Sequence, residues 1–88
     1  MTTHVFHEFP QDEQEDVTAA AAAEGFDIGE FTISDEELYP PRKTVGPIRR
    51  QVTVTRLINN TSKVYDAGHG TVWTVEFEQD LASGAFGP

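Results

Sequence analysis

The side chains with the means for catalysis or metal binding are His4, His7 and His69 and the acids near them. On a strand, positions 4 and 7 point to opposite faces and cannot close on one ion without a bulge. Ordinary strand and turn histidines are therefore expected, with no metal and no cofactor. Asp66 precedes Gly68, His69 and Gly70, the one place where an acid, an imidazole and permissive backbone coincide. No serine or lysine is evidently positioned there as a nucleophile. The stretch also lacks the lysine of a phosphate-binding loop and the full glycine pattern of a dinucleotide site. A tight hairpin whose glycines take positive φ accounts for the same residues. The chain has no cysteine, which excludes a thiolate nucleophile, a thiolate metal site and a disulfide. Without a complete set of catalytic roles, the chain is expected not to be an enzyme.

Charge offers a second kind of chemistry, because it is segregated along the sequence. Residues 1–41 carry eleven Asp or Glu and no Lys or Arg, or −11; residues 42–63 hold all six cations and no acid, or +6; residues 64–88 add four acids, and −11 + 6 − 4 gives the net −9. Asp12, Glu15 and Asp16 fall at helical spacings of three and four, share a face and repel one another by a few tenths of a kcal/mol per pair. With Glu13, Asp27, Glu30, Asp35 and Glu36 they form a candidate surface for a basic protein, since rows of carboxylates imitate phosphates. Arg42, Lys43, Arg49, Arg50 and Arg56, flanked by Tyr39 and Tyr65, form a candidate phosphate-binding set. The alternative to both is that these cations balance the acids within the fold, with exposed pairs worth about 0 to 1 kcal/mol each.

These groups must be positioned by a chain of 88 residues, enough for one core, so residues 1–88 are expected to be a single domain. The apolar fraction of 38%, with six Phe, two Tyr and one Trp, supports a folded core. Residues 4–9 alternate as a strand. Pro10 and the acids after it open a helix over residues 11–24, whose Ala19–Ala23 run has the highest helix propensity and which Gly25 closes. Phe26, Ile28, Phe31 and Ile33 suggest a second strand with a glycine bulge at Gly29. Ser34-Asp35-Glu36-Glu37 fits a capping box and one helical turn. Residues 40–48 hold three prolines and a glycine and read as a connection. Val52, Val54 and Ile58 mark a strand, Asn59-Asn60-Thr61-Ser62 a turn, Val64-Tyr65 a return strand, and Trp73, Val75 and Phe77 the inner face of a last strand. One helical turn at residues 80–84 and a terminal Phe86 complete the chain.

The expected fold is α+β, a mostly antiparallel sheet of four to five strands with the main helix on one face. Val5, Phe9, Val17, Ala20, Ala21, Ile28, Phe31, Val52, Val54, Trp73, Val75 and Phe77 are expected to form most of its core. No apolar run approaches the roughly 20 residues of a membrane helix. The first residues lack the basic and apolar regions of a secretory signal, so a cytoplasmic location is expected.

Two function classes follow. In the first, a small acidic non-enzymatic protein binds and regulates or inhibits a basic, nucleic-acid-handling protein. In size and charge the chain resembles small inhibitors from mobile elements, such as anti-restriction, anti-CRISPR and nuclease immunity proteins. That likeness implies inhibition by mimicry of DNA but is carried by no motif. In the second class the basic 42–56 segment binds nucleic acid or a small ligand, with a homodimer in which acidic and basic segments meet. Direct nucleic-acid binding is the less favoured, because an acidic surface repels phosphate.

Overall fold

The structure, a computed structural model, describes residues 2–38, 49–67 and 73–87. It is an α+β fold: strands β1 (Thr2–Val5), β2 (Phe31–Leu38), β3 (Arg49–Arg56) and β4 (Thr61–Asp66) form an open antiparallel sheet in the order β1-β2-β3-β4. Helices α1 (Gln11–Ala23) and α2 (Trp73–Ser83) pack together on one face of it. The connection expected at residues 40–48 and the turn at Gly68, His69 and Gly70 lie outside the described residues.

The first strand is shorter than the alternation at residues 4–9 implies. Glu8 folds back so that its Oε1 accepts the Val5 N–H at 3.0 Å, and Phe6–Glu8 form a 3-10 turn. That turn carries Phe9 into the core and leaves Val5 on the open face, 46% exposed. Helix α1 forms as expected, with Val17, Ala20 and Ala21 as its buried residues. Gln14 reaches back to the carbonyls of Phe9 and His7, at 2.7 and 3.2 Å. Gly25 at φ +82° lets its own N–H and that of Phe26 bond the Ala22 and Ala21 carbonyls, satisfying acceptors the helix end would leave open.

Gly29 makes no bulge. Asp27 Oδ1 accepts the Gly29 N–H at 2.8 Å and Glu30 Oε2 accepts the Asp27 N–H at 3.1 Å, so Ile28–Glu30 form a 3-10 turn before β2 begins at Phe31. The box Ser34-Asp35-Glu36-Glu37 starts no helix: it is the middle of β2, where Phe31, Ile33 and Asp35 point inward. Leu57 and Ile58 belong to the β3–β4 turn and are exposed, and Asn60 takes the left-handed conformation there (φ 56°).

The largest departure is residues 73–83, which are helical rather than a strand followed by a short turn. Trp73, Phe77 and Leu81, four apart, form the buried stripe, and Val75 is 51% exposed. Gly84 at φ +83° ends this helix, and the chain returns to bury Phe86 completely. Phe31, Phe77 and Phe86 meet edge to face with centroids 5.5 to 5.8 Å apart. Such pairs add about 0.5 to 1.5 kcal/mol each to their area burial. Ile33, Tyr65 and Leu81 join the core with Phe86, and Ile28 packs against it half-buried.

Candidate functional site

Arginines 50 and 56 divide the acidic residues into two populations. Arg50 is on the same face of β3 as Val52 and Val54, so its guanidinium starts inside the fold. Its Nε donates to Asp35 Oδ2 at 2.7 Å and one terminal nitrogen donates to both Glu13 oxygens at 2.9 Å. Its plane lies 4.7 Å from the Phe9 ring. Glu13 Oε1 also accepts the Trp73 indole N–H at 3.1 Å, and Asp35 Oδ1 lies 2.8 Å from His4 Nδ1. One line of polar contacts thus runs His4, Asp35, Arg50, Glu13, Trp73 through β1, β2, β3, α1 and α2. Burial pulls the Arg50 pKa down, but its hydrogen bonds to Asp35 and Glu13 outweigh this and hold it above the ordinary value. The hydrogen bond to Asp35 raises the His4 pKa, burial opposes it, and Asp35, Glu37 and Glu8 add to the rise through their charges.

Arg56 closes the other end of the sheet. It is buried, donates to the Phe86 carbonyl at 3.0 Å and to Glu30 Oε1 at 3.3 Å, and stacks 4.9 Å from the Phe26 ring. Asn59 donates to the same carbonyl at 2.9 Å, tying the hairpin tip to the terminal segment.

Of the eight carboxylates expected to face a partner, Glu13, Glu30 and Asp35 are thus held by arginines of the chain itself. Asp27 is exposed but caps a turn, and Glu36 is half-buried on the open sheet face. Asp12, Glu15 and Asp16 are exposed on α1 and make no ion pair among the described residues. Of the cations expected to hold phosphate, Arg50 and Arg56 are internal, Arg49 opens β3, and Arg42 and Lys43 lie outside the described residues.

Helix α2 completes the acidic surface. Between the helices runs a groove of about 470 Å³ whose floor holds Ala19, Ala20, Ala23, Thr74 and Val75, with Asp16 on the α1 side and Glu78 on the α2 side. The other flank of α2 turns Glu76 and Asp80 toward β4, where Asp80 Oδ2 accepts the Tyr65 hydroxyl at 2.6 Å. Burial first, then that hydrogen bond, push the Tyr65 pKa far above its ordinary value. Reading residues 73–78 as a strand separates Glu76 and Glu78 from the acidic helix, so their part in this surface goes unseen. The Arg50–Asp35 pair had a signal: Arg50 shares parity with Val52 and Val54, Asp35 with Phe31 and Ile33, and an inward arginine needs an inward acid.

Among the described residues no three His, Asp or Glu side chains converge as metal ligands, and no helix is long and apolar enough to cross a membrane. No family model, curated protein or solved structure matches the chain.

Proposed function

We propose that this chain is a small, acidic, non-enzymatic interaction protein whose helical layer binds a basic protein and so regulates or inhibits it. The observation that carries this reading is the partition of the carboxylates. Arg50 and Arg56 pair with the buried Asp35 and the partly exposed Glu13 and Glu30, while Asp12, Glu15 and Asp16 stand exposed on α1, with Glu78 across an alanine-floored groove. Like charges at helical spacings repel, and a cationic partner relieves that repulsion on binding. Small side chains on the groove floor let a partner approach the helix backbones closely. A protein built to hold phosphates is the partner that spaced carboxylates suit best. The same partition weighs against a phosphate-binding role for the 42–56 segment, because two of its five cations are already paired with acids.

Affinity capture from source-cell extract at low and high salt tests the reading. The wild-type protein is expected to retain a basic protein at low salt and release it at high salt, and the D12N/E15Q/D16N variant to retain little of it. Equal retention by the variant sinks the reading, and selective retention of nucleic acid supports the phosphate-binding alternative.

A further inference from the structure

The sheet has two edges, and they are finished differently. At β1 the outward amide of Val5 is captured by Glu8 Oε1 at 3.0 Å, while the His4 amide faces β2, where Asp35 Oδ1 accepts it at 3.1 Å. At the other edge, no strand lies beyond β4 among the described residues. The Ala67 N–H donates to the Arg50 carbonyl at 2.8 Å, which fixes the phase of the β3–β4 ladder. Lys63 and Tyr65 direct their backbone groups to β3, and Ser62 and Val64 direct theirs outward. An outward-facing row of this kind is a template for another strand. Beside it lies a groove of about 360 Å³ between β4 and α2, lined by Lys63, Tyr65, Asp66, Glu76, Gln79 and Asp80.

We propose that the β4 edge receives an extended basic segment of the partner, added to the sheet as a fifth strand running antiparallel or parallel in the groove against α2. Its main chain bonds the outward groups of Ser62 and Val64, which supplies affinity without regard to sequence. Its alternate side chains fall either into the groove or onto the open sheet face beside Val64, which is 61% exposed. Those entering the groove meet three carboxylates, Asp66, Glu76 and Asp80, against one cation, Lys63, so lysine or arginine is favoured there. A second copy of this chain is a poor occupant, because it sets two molecules of net charge −9, each with the same acidic α2 flank, side by side. The inward Lys63 at an edge also discourages indiscriminate pairing with apolar strands. The inference rests on the proposed function only in taking the partner to be basic.

The probe is a synthetic acetylated hexapeptide amide alternating lysine with valine and threonine, titrated into isotope-labelled protein and followed by backbone amide NMR shifts. The expected shifts centre on Ser62, Val64, Glu76 and Gln79. Val64→Pro removes an outward N–H without touching the ladder to β3, and is expected to weaken binding at least about tenfold. Glu76→Lys, on the exposed side of α2, is expected to weaken it similarly and decides the matter if the proline variant does not fold. D12N/E15Q/D16N is expected to bind the peptide as the wild type does. Absence of peptide binding, shifts centred on α1, or wild-type affinity in the Val64→Pro and Glu76→Lys variants overturns the inference. Peptide bound on α1 and lost in D12N/E15Q/D16N would do so while leaving the proposed function intact. Failure of the capture experiment alone would remove that function and leave the edge site standing.

Discussion

Arg50 and Asp35 are diagonal neighbours on adjacent strands, and the 2.7 Å bond from Nε to Oδ2 joins two charges placed where apolar side chains would otherwise sit. In register Asp35 lies opposite Val52 and Arg50 opposite Glu37, so both partners are on the face covered by the helices. Asp35 is 5% exposed. A carboxylate so buried is tolerable only with its partners in place.

Arg50→Ala is therefore expected to destabilise the protein by about 3 to 5 kcal/mol, because Asp35 keeps its charge and loses its cation. Arg50→Lys keeps the charge but not the fork that reaches Asp35 and Glu13 together, and is expected to cost about 1 to 3 kcal/mol. Adding Asp35→Asn to Arg50→Ala is expected to recover part of the loss. Urea denaturation of the four proteins checks this, and an Arg50→Ala cost below about 1 kcal/mol refutes it.

How far such features can be read in advance depends on the distance over which they act. Helix α1 was legible because its signals are local: Pro10 before it, alanines within it, Gly25 after it. The box at Ser34 failed because a capping motif competes with strand pairing, and here residues 34–37 pair with β1 on one side and with β3 on the other. Arg50 reaches an acid 15 residues away, another 37 away, and through Glu13 meets an indole 60 residues from that acid. No window of local pattern contains those contacts, so the division of the acids into held and exposed sets awaited the fold.

Glu13 is the link between the arginine and the only tryptophan, which makes indole fluorescence a clean report on it. Glu13→Gln keeps an acceptor oxygen but removes the charge that strengthens the bonds from Trp73 and Arg50. A shift in Trp73 emission is expected, with a loss of about 1 to 3 kcal/mol, trimmed because Glu13 is partly exposed. Asp12→Asn, one residue away and exposed, is expected to change neither. Emission unmoved in Glu13→Gln would remove the link.

His4 gives the fold a pH dependence of known sign. Its folded-state pKa is raised, chiefly by the bond to Asp35 and further by the charges of Asp35, Glu37 and Glu8. A raised pKa means the folded state favours the proton, so the contribution is complete below the unfolded value near 6.5 and is lost as pH rises through the folded value. Between about pH 6 and 8, wild-type melting temperature is expected to fall slightly more than that of His4→Gln. The effect is small because the imidazole is partly exposed and screened. Identical pH profiles would show that the pair does not contribute.

Residues 73–78 fit two periodicities at once, because positions 73 and 77 share a face in both a strand and a helix. Val75 and Leu81 separate them: a strand buries Val75, whereas the helix exposes it and buries Leu81. Phe77→Ala is expected to cost about 3 to 5 kcal/mol, since Phe77 is wholly buried against Phe31, Tyr65, Trp73 and Phe86. Val75→Lys is expected to change stability by no more than about 0.5 kcal/mol. The lysine would nevertheless stand in the groove between Asp16 and Glu78 and offset their charge. Val75→Lys is therefore expected to keep wild-type denaturation behaviour while retaining less of a basic partner at low salt. Severe destabilisation of this variant would return the segment to a strand and remove the groove, and unchanged capture would move the partner off the helical layer.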